Sequence, residues 1–466
     1  MSDNVKDVRD DQKSTRKTDE HNIQRIQSII DPSITNETFK ISSLGEATIP
    51  NPIEIAPDAR FISDEEFMLL RPIMYNEQEL SRPSDEVIRF EVAGPREKIY
   101  FPPKRTKVAI VTCGGLCPGL NAVIRGVVMQ LYHRYGVENI IGIPYGYQGL
   151  GAESTQDFID LNPEVVQDIH EKGGTIIGSS RGTPPTSEIV DTLEKYNINI
   201  LFTIGGDGTL RGASKIEEEL RKRNLKVSVI GIPKTIDNDI PYVKQSFGFE
   251  SAVAKACEAV IAAHEEAKGA QRGIGLVKVM GRNSGYIAAN AAIGSGLANY
   301  CLIPESSFQL EGERGLLKVL EDRMDVKDHA VIIVAEGAGQ YFFGGNAIKR
   351  DASGNVRFGD IGLFLKDKII EYFEKVGKPV SLKYIDPSYI IRSTPANVTD
   401  RMFCVTLAQN AVHAAMAGKT GMLIGYWHGV LTHIPFKALA GRSQTVNING
   451  QMWFKVLQTT GQPYFI

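Results

Sequence analysis

Short apolar runs recur along the chain, and most lead into a glycine-containing loop and then a helical pattern. The runs lie at residues 107–112, 200–204, 227–232, 274–279, 330–335 and 422–427. They lack the polar–apolar alternation of a half-exposed strand, which predicts strands covered on both faces. Such strands separated by helices indicate an α/β fold with mostly parallel sheets.

The glycines behind these runs indicate where a ligand would bind. Glycine accounts for 45 of the 466 residues, above its usual level of about 7%. Several glycines directly follow predicted strands: Gly114, Gly115, Gly205, Gly206, Gly208, Gly281, Gly337 and Gly339. Because open α/β sheets bind ligands at the carboxyl ends of their strands, we expect the functional site there.

Charge and composition exclude several classes of protein. The chain has 52 Lys and Arg against 55 Asp and Glu, so no basic excess indicates a nucleic-acid partner. No apolar run approaches the roughly 18 residues that cross a membrane, and the N-terminus is unlike a secretory signal. The cysteines are scattered without a CxxC pair. We therefore expect a cytoplasmic protein without nucleic-acid or membrane partners.

The first 100 residues differ in character from the rest of the chain. Residues 1–20 hold eleven charges and almost no apolar side chains, which predicts disorder because little surface can be buried. Residues 21–100 are rich in Pro, Asn and acids. We interpret residues 1–100 as an N-terminal arm that packs on the body or on a partner subunit, with a partly disordered leader as the alternative.

Two glycine-rich loops have the chemistry of phosphate binding. TCGGLCPGLN at residues 112–121 can direct backbone N–H groups towards an anion, although a plain turn explains it about as well. GGDGT at residues 205–209 adds Asp207, a carboxylate suited to Mg²⁺ beside substrate phosphates. The alternative for Asp207 is a helix N-cap.

Two further loops carry charged side chains behind predicted strands. PKTIDND at residues 233–239 contains two nearby carboxylates, which raise each other's proton affinity and suit a general base. An Asx-rich turn is the alternative. MGRNSG at residues 280–285 places Arg282 at a strand end, and SSRGT supplies Arg181; arginine suits the recognition of phosphoryl oxygens.

Together these motifs resemble the phosphofructokinase family. TCGGLCPGLN, GGDGT, PKTIDND, MGRNSGYIA, AEG and YIDPSYIIRSTPAN stand in the family's order from about residue 107 to the C-terminus. The arm and the PSYIIRS form are most similar to the long ATP-dependent enzymes of protists and plants, which are close in sequence to the pyrophosphate-dependent branch. The resemblance implies Mg²⁺-dependent phosphoryl transfer from ATP to the 1-hydroxyl of fructose 6-phosphate.

The resemblance also implies catalytic roles for individual residues. Asp237 matches the general base, Thr235 orients the sugar and the phosphate, and Asp239 tunes Asp237 or reaches the metal shell. Arg282 would stabilise charge on the transferring phosphoryl group, assisted by the N–H of Gly114. These residues and Lys234 form the expected catalytic set.

The remaining roles concern ligand binding. Asp207 matches the residue that holds Mg²⁺. ATP contacts are implied for Gly114, Arg181, Gly182, Gly206, Asp207, Gly208 and Thr209. Contacts with the sugar phosphate are implied for Thr235, Ile236, Asp237, Met280, Gly281, Arg282, Glu336, Tyr389 and Arg392.

The choice of phosphoryl donor depends on two positions. In the family, Asp at the position of Gly208 accompanies pyrophosphate use, whereas Gly leaves room for ATP. Lys234 is common in pyrophosphate enzymes, but its combination with Gly208 is typical of the long ATP-dependent group. We expect ATP, with pyrophosphate as the alternative.

Two more remote classes of protein fit the motifs less well. Lipid and NAD kinases share GGDGT but not PKTIDND and MGR. A non-catalytic regulatory subunit of the same fold would be expected to have lost Asp237, Asp239 or Arg282, and this chain has all three.

The resemblance implies two αβα sandwich sub-domains with the active site in the cleft between them. Residues 101–248 and 391–440 would form the nucleotide-binding sub-domain, residues 249–390 the sugar-phosphate-binding sub-domain, and residues 441–466 a C-terminal segment. Family members are usually homotetramers, so a homotetramer is expected here.

Overall fold

The computed structural model describes residues 34–56, 59–71, 87–344, 358–439 and 441–464. The disorder predicted for residues 1–20 lies outside these ranges. The strands are β1 (Ser42–Ser43), β2 (Ile49–Pro50), β3 (Phe67–Leu69), β4 (Arg89–Val92), β5 (Lys98–Ile99), β6 (Lys107–Thr112), β7 (Asn139–Gly142), β8 (Ile159–Asp160), β9 (Ile200–Gly205), β10 (Ser228–Pro233), β11 (Gly273–Val279), β12 (Tyr300–Leu302), β13 (His329–Ala335), β14 (Ser381–Ile385), β15 (Lys419–Thr420), β16 (Met422–Trp427) and β17 (Val430–Pro435).

Helices separate most of the central strands. The α-helices are α1 (Leu120–Gln130), α2 (Thr186–Lys195), α3 (Asp207–Lys222), α4 (Phe249–Lys268), α5 (Tyr286–Ser295), α6 (Leu316–Lys327), α7 (Ile361–Lys375), α8 (Ser388–Ser393), α9 (Val398–Met416) and α10 (Gln451–Thr460). A π-helical turn, Leu131–Tyr135, continues α1. No helix in the described ranges is long and apolar enough to cross a membrane.

The first sheet has the strand order β3-β4-β17-β16-β10-β9-β6-β7-β8. Its five central strands, from β16 to β7, run parallel. The edge strands β8, β17, β4 and β3 pair antiparallel. The apolar runs predicted at residues 107–112 and 422–427 coincide with β6 and β16, which confirms the mostly parallel α/β prediction for this sheet.

The second sheet has the order β12-β13-β11-β14 and is parallel throughout. Its strands all lie between residues 273 and 385. The sub-domain boundaries near residues 248 and 391 stay a prediction.

One apolar core lies between the two sheets. It joins inward-facing residues of α1 and α9, which cover the first sheet, with those of α4 and α5, which cover the second. Phe202 of β9 and Val277 of β11 belong to this core, and both are fully buried. Each large side chain buried in this way contributes about 1.5–3 kcal/mol. The core therefore couples the two sheets and brings the carboxyl ends of their strands towards each other.

The described part of the predicted arm packs on the body of its own chain. Strands β3 and β4 extend the first sheet at its β17 edge. Phe39 packs edge-on against Phe90 and Tyr242, with ring centroids 4.9 and 5.1 Å apart. Part of the predicted arm therefore forms two additional strands at one edge of the first sheet.

A largely buried ionic network anchors this edge. The Glu91 carboxylate lies 2.8 Å from an Arg96 nitrogen, 3.0 Å from the Lys419 ammonium and 2.9 Å from His433 Nδ1. The Arg96 and Lys419 side chains are only 8 and 10% exposed. Burial tends to raise the pKa of Glu91, but the contacts with His433 and then with Lys419 outweigh it and lower this pKa to about 2.

Replacing Glu91 should therefore destabilise the protein. Glu91→Gln would leave Arg96 and Lys419 buried with less compensating charge, and we expect a loss of about 3 kcal/mol, measured by urea unfolding at neutral pH. Because the pKa of Glu91 is depressed in the folded state, its contribution should be present above about pH 4.5 and be lost as pH falls through about 2. Glu138→Gln, which breaks an exposed surface pair with Lys104, is the control. Equal effects of the two substitutions would contradict the prediction.

Candidate active site

Loops from both sheets meet at the carboxyl ends of β10 and β11. The loop after β10 carries Lys234, Thr235, Asp237 and Asp239, and the loop after β11 carries Arg282. The Ser284 hydroxyl donates to the carbonyl oxygen of Asp237 at 2.8 Å. The backbone N–H of Arg282 donates to the Asp237 carboxylate. The candidate base therefore lies where the two sheets face each other.

Short hydrogen bonds shape the loop around Asp237. The Thr235 hydroxyl accepts the N–H of Asp237 at 3.1 Å and donates to Asp239 Oδ1 at 2.9 Å. Asp237 Oδ1 is buried and has no hydrogen-bond partner among the described residues. A buried, unpartnered carboxylate oxygen is costly. It is available to a hydroxyl group that enters the cleft.

The charges around Asp237 favour its protonated form. Burial, and after it the nearby Asp239 and Glu336 carboxylates, raise the pKa of Asp237 to about 7. The positive charge of Arg392 acts in the opposite direction. Burial also raises the pKa of Asp239 and Glu336. A carboxylate whose pKa lies near neutral pH can accept a proton under physiological conditions.

The GGDGT loop joins β9 to α3. Gly206 occupies the N-cap position and Asp207 is the first helical residue, so the N-cap alternative for Asp207 is wrong. The Asp207 side chain is 48% exposed and lies 2.8 Å from an Arg211 guanidinium nitrogen. Burial raises its pKa, which a bound cation would counteract.

The residues present fit a magnesium site that is completed by a ligand. The described ranges contain no group of three acidic, His or Cys side chains that could hold a metal by themselves. Mg²⁺ commonly takes one or two carboxylates together with substrate phosphates and water. Asp207 lies at a strand end, and its charge acts on Asp239. A single protein carboxylate here matches a metal that arrives with phosphates.

Gly205 and Gly208 of this loop differ in what a side chain at each position would meet. A Cβ atom at Gly205 would lie 2.1 Å from Thr209 Oγ1, so the protein's own packing excludes a side chain there. A Cβ at Gly208 would have no neighbour within 4 Å. Packing therefore does not require glycine at position 208, and the space above it is open.

The loop after β6 differs from expectation at Gly114. Its N–H donates to the Ser180 carbonyl at 2.9 Å, continuing the bridge between Cys113 and Ser180. The assistance of this N–H to a transferring phosphoryl group stays a prediction, and it would require the N–H to exchange its bond with Ser180 for one with the ligand. The ammonium of Lys234 donates to the Gly115 carbonyl at 2.8 Å and thereby supports the same loop.

The other residues predicted to contact ligands differ in their exposure, from buried to largely exposed. Thr209 is buried and its side chain contacts Cys113, so it faces the protein interior. Arg181 and Gly182 lie on the exposed rim. The Arg282 guanidinium stacks 4.7 Å from the centre of the Phe358 ring. Tyr389 on α8 is 84% exposed in the single chain.

The predicted site residues fall into two groups: those that surround Asp237 in the cleft, and those on the exposed rim of the cleft. Side chains that interact around Asp237 are Lys234, Thr235, Asp239, Glu336 and Arg392. Ile236, Met280 and Gly281 are buried beside them in the same two loops. Two cavities adjoin the rim: about 590 Å³ beside Gly114 and Arg181, and about 680 Å³ beside Gly182 and Tyr145.

Sequence reasoning missed two residues that shape these loops. Ser284 stands inside the MGRNSG motif, which was the available signal for its contact with Asp237. Glu305 follows β12, and its carboxylate binds backbone N–H groups of distant segments. Its position just behind a strand was the one indication in the sequence.

Comparison with known proteins identifies a matching family and several similar proteins. A family model described as Phosphofructokinase matches residues 107–415. The ATP-dependent 6-phosphofructokinase of Borreliella burgdorferi is 53% identical over 437 residues, which cover 92% of this chain and 97% of that protein. ATP-dependent 6-phosphofructokinase 7 of Arabidopsis thaliana is 48% identical, covering 90% and 86% respectively. The Trypanosoma brucei brucei enzyme is 43% identical, covering 92% and 88%.

Solved structures resemble the fold at lower identity. The pyrophosphate-dependent phosphofructokinase of Marinobacter aquaeolei gives a TM-score of 0.63 at 19% identity and covers 76% of this chain and 91% of that one. Pichia pastoris phosphofructokinase in the T-state gives 0.58 at 22% identity, covering 78% and 36%. At these identities the two structures support the fold alone.

Stability measurements should separate the two GGDGT glycines. Gly205→Ala should lower the free energy of unfolding by about 1–3 kcal/mol, because its Cβ collides with Thr209. Gly208→Ala should leave it unchanged or raise it by up to about 1 kcal/mol, because alanine favours the helix and meets no obstacle. Urea unfolding of the ligand-free protein measures both. A Gly208→Ala loss as large as that of Gly205→Ala would mean that packing, and not a ligand, requires Gly208.

Proposed function

Because the chain belongs to the phosphofructokinase family, we propose how its cleft residues divide the work of phosphoryl transfer. The chain is an enzyme with the activity of an ATP-dependent 6-phosphofructokinase, as named for relatives 43–53% identical to it. Its substrates are ATP and fructose 6-phosphate, and the product is fructose 1,6-bisphosphate. The residue roles below are proposals.

The observation that supports this reading most strongly is the buried, unpartnered Oδ1 of Asp237. We assign to this oxygen the proton of the sugar's 1-hydroxyl. Its pKa near 7 lets it be ionised before the reaction and accept a proton during it. The Arg282 N–H and the Thr235 hydroxyl hold the surrounding loop in place.

Arg282 and Arg392 supply positive charge close to the cleft carboxylates. Both charges act on Glu336. We assign the Arg282 guanidinium to the transferring phosphoryl group and Arg392 to the 6-phosphate of the sugar. Phosphoryl transfer depends chiefly on such positioning and charge stabilisation.

Asp207 is the proposed protein ligand of Mg²⁺. When bound, the ion would neutralise phosphate charge and orient the transferred group. The carboxylate lies at the start of α3, where the helix N-terminus also favours the phosphates of ATP. Its pairing with Arg211 holds the side chain near this position when no cation is bound.

Three observations support ATP as the donor over pyrophosphate. The space above Gly208 is open and can accommodate the part of a nucleotide beyond the transferred phosphoryl group. Lys234, which otherwise indicates pyrophosphate, donates to the Gly115 carbonyl and so has a structural role here. The cavities beside Arg181 and Gly182 offer room for the nucleoside.

A homotetramer is also proposed, supported by an exposed apolar surface. Val398, Met402 and Val405 lie at i, i+4 and i+7 along α9, and they are 71, 68 and 36% exposed. Ile390 on the neighbouring α8 is 64% exposed. Contiguous exposed apolar side chains commonly mark contacts between subunits. Such a contact would also cover Tyr389. The cytoplasmic location stays a prediction of the sequence.

Activity should depend on the ionisation of Asp237. We expect kcat/KM to rise about tenfold per pH unit below about pH 7 and then level off, because only the ionised carboxylate accepts the proton. Asp239→Asn removes a like charge and should move this acidic limb to lower pH. A coupled assay with ATP and fructose 6-phosphate between about pH 5.5 and 8.5 measures both effects.

The same assay tests the base itself. Asp237→Ser and the isosteric Asp237→Asn should each lower kcat by about 10²–10⁴-fold, the usual contribution of a general base. Undiminished turnover by either variant would show that another group takes the proton.

Donor choice should respond to a side chain at position 208. Gly208→Asp should lower kcat/KM for ATP by about 10²-fold, because a carboxylate placed beside phosphates repels them by several kcal/mol. Gly208→Asn has nearly the same volume without the charge and separates the two causes. Faster turnover of pyrophosphate than ATP by the unmodified protein would refute ATP as the donor.

A further inference from the structure

The segment of residues 442–446, here called the bridging segment, runs beside the loop that carries the candidate base. The N–H of Gln444 donates to the carbonyl of Asp239 at 2.8 Å. The side-chain amide of Gln444 donates to the carbonyl of Asn238 at 3.2 Å. The segment therefore holds the backbone of the Asp237–Asp239 loop at two consecutive carbonyls.

The other end of the bridging segment is held by elements of the second sheet. The N–H of Val446 donates to Glu305 Oε1 at 2.7 Å. The same oxygen accepts the N–H of Gly285 at 3.0 Å, three residues beyond Arg282. The Tyr286 hydroxyl donates to the Thr445 carbonyl at 2.7 Å.

Glu305 is the point where these contacts converge. Its Oε1 binds one N–H from the loop after β11 and one from the bridging segment. Its Oε2 is buried without a hydrogen-bond partner among the described residues. Burying a carboxylate oxygen without a hydrogen-bond partner costs free energy. The two bonds that Oε1 accepts, from the N–H groups of Gly285 and Val446, offset this cost and explain why a glutamate occupies the position.

We propose that Glu305 and the bridging segment are positioning elements that hold the Asp237–Asp239 loop opposite the Arg282 loop. The inference rests on the proposed function, in which the base and the charge-stabilising arginine come from different sheets. Two hydrogen bonds join those loops directly: one from the Ser284 hydroxyl to the Asp237 carbonyl, and one from the backbone N–H of Arg282 to the Asp237 carboxylate. The bridging segment adds a second connection through Glu305, so the spacing of the two groups is set from both sides. Since a misplacement of about 1 Å can cost about 10²-fold in rate, this spacing matters for turnover.

The test compares Glu305→Ala with Glu305→Gln. Alanine removes the acceptor for both N–H groups, and we expect kcat to fall about 10–100-fold. KM for ATP should stay within about twofold, because the residues implied in ATP binding belong to the first sheet. Glutamine keeps an oxygen at the same place and should restore most of the loss. A merely structural role would change stability without this split between kcat and KM.

Two further variants make the result decisive. Gln444→Ala removes the side-chain contacts with Asn238 and Tyr286, keeps the backbone bond to Asp239, and should lower kcat about 3–10-fold. It decides the question if Glu305→Ala does not fold. Glu313→Ala, an exposed acid in the loop after β12, is the matched control and should leave kcat unchanged.

The outcomes separate this inference from the proposed function. A folded Glu305→Ala or Gln444→Ala variant with unchanged kcat, while Asp237→Asn is inactive in the same assay, overturns the positioning role alone. An active Asp237→Asn variant overturns the proposed base instead. Equal losses of kcat in the glutamine and alanine variants at position 305 would also refute the positioning role, because the acceptor oxygen would then be irrelevant.

Discussion

The burial of one carboxylate, that of Asp237, is the constraint on which the site depends. An ionised carboxylate between two sheets is unfavourable unless charge or hydrogen bonds compensate it. In Asp237 the cost of burial is only partly compensated. Its Oδ1 has no hydrogen-bond partner among the described residues, and the Asp239 and Glu336 carboxylates add to the effect of burial on its pKa. The pKa of the group therefore lies near 7, where it can exchange a proton with a bound hydroxyl. A more exposed carboxylate would lose much of this basicity.

Such a group can exist only because two sheets share a core. The helices α1, α9, α4 and α5 pack into one apolar cluster, and this fixes the direction in which the strand ends face. The loops after β10 and β11 then meet through Ser284 and the N–H of Arg282. The added strands β3 and β4 extend the first sheet beyond β17, and the ionic network at Glu91 anchors them there.

Much of the fold could be predicted because it depends on local periodicity. The apolar runs coincide closely with β6, β9, β10, β11, β13 and β16, since a strand buried on both faces is apolar at every position. The residues of the candidate site followed from motifs at strand ends and from the family resemblance. The bonding of single groups could not be foreseen: the Gly114 N–H is used by Ser180, and the Thr209 side chain turns inward.

The amino-acid sequence by itself determined the elements, the loops that carry the chemistry and the absence of a side chain at Gly208, because these depend on residues close together in the chain. Only the tertiary structure decided that this absence leaves open space, and that Glu305 joins residues 285 and 446. The physical reason is that pKa values, free space and shared hydrogen-bond acceptors depend on distances between residues far apart in sequence. Those distances exist only once the two sheets have packed together.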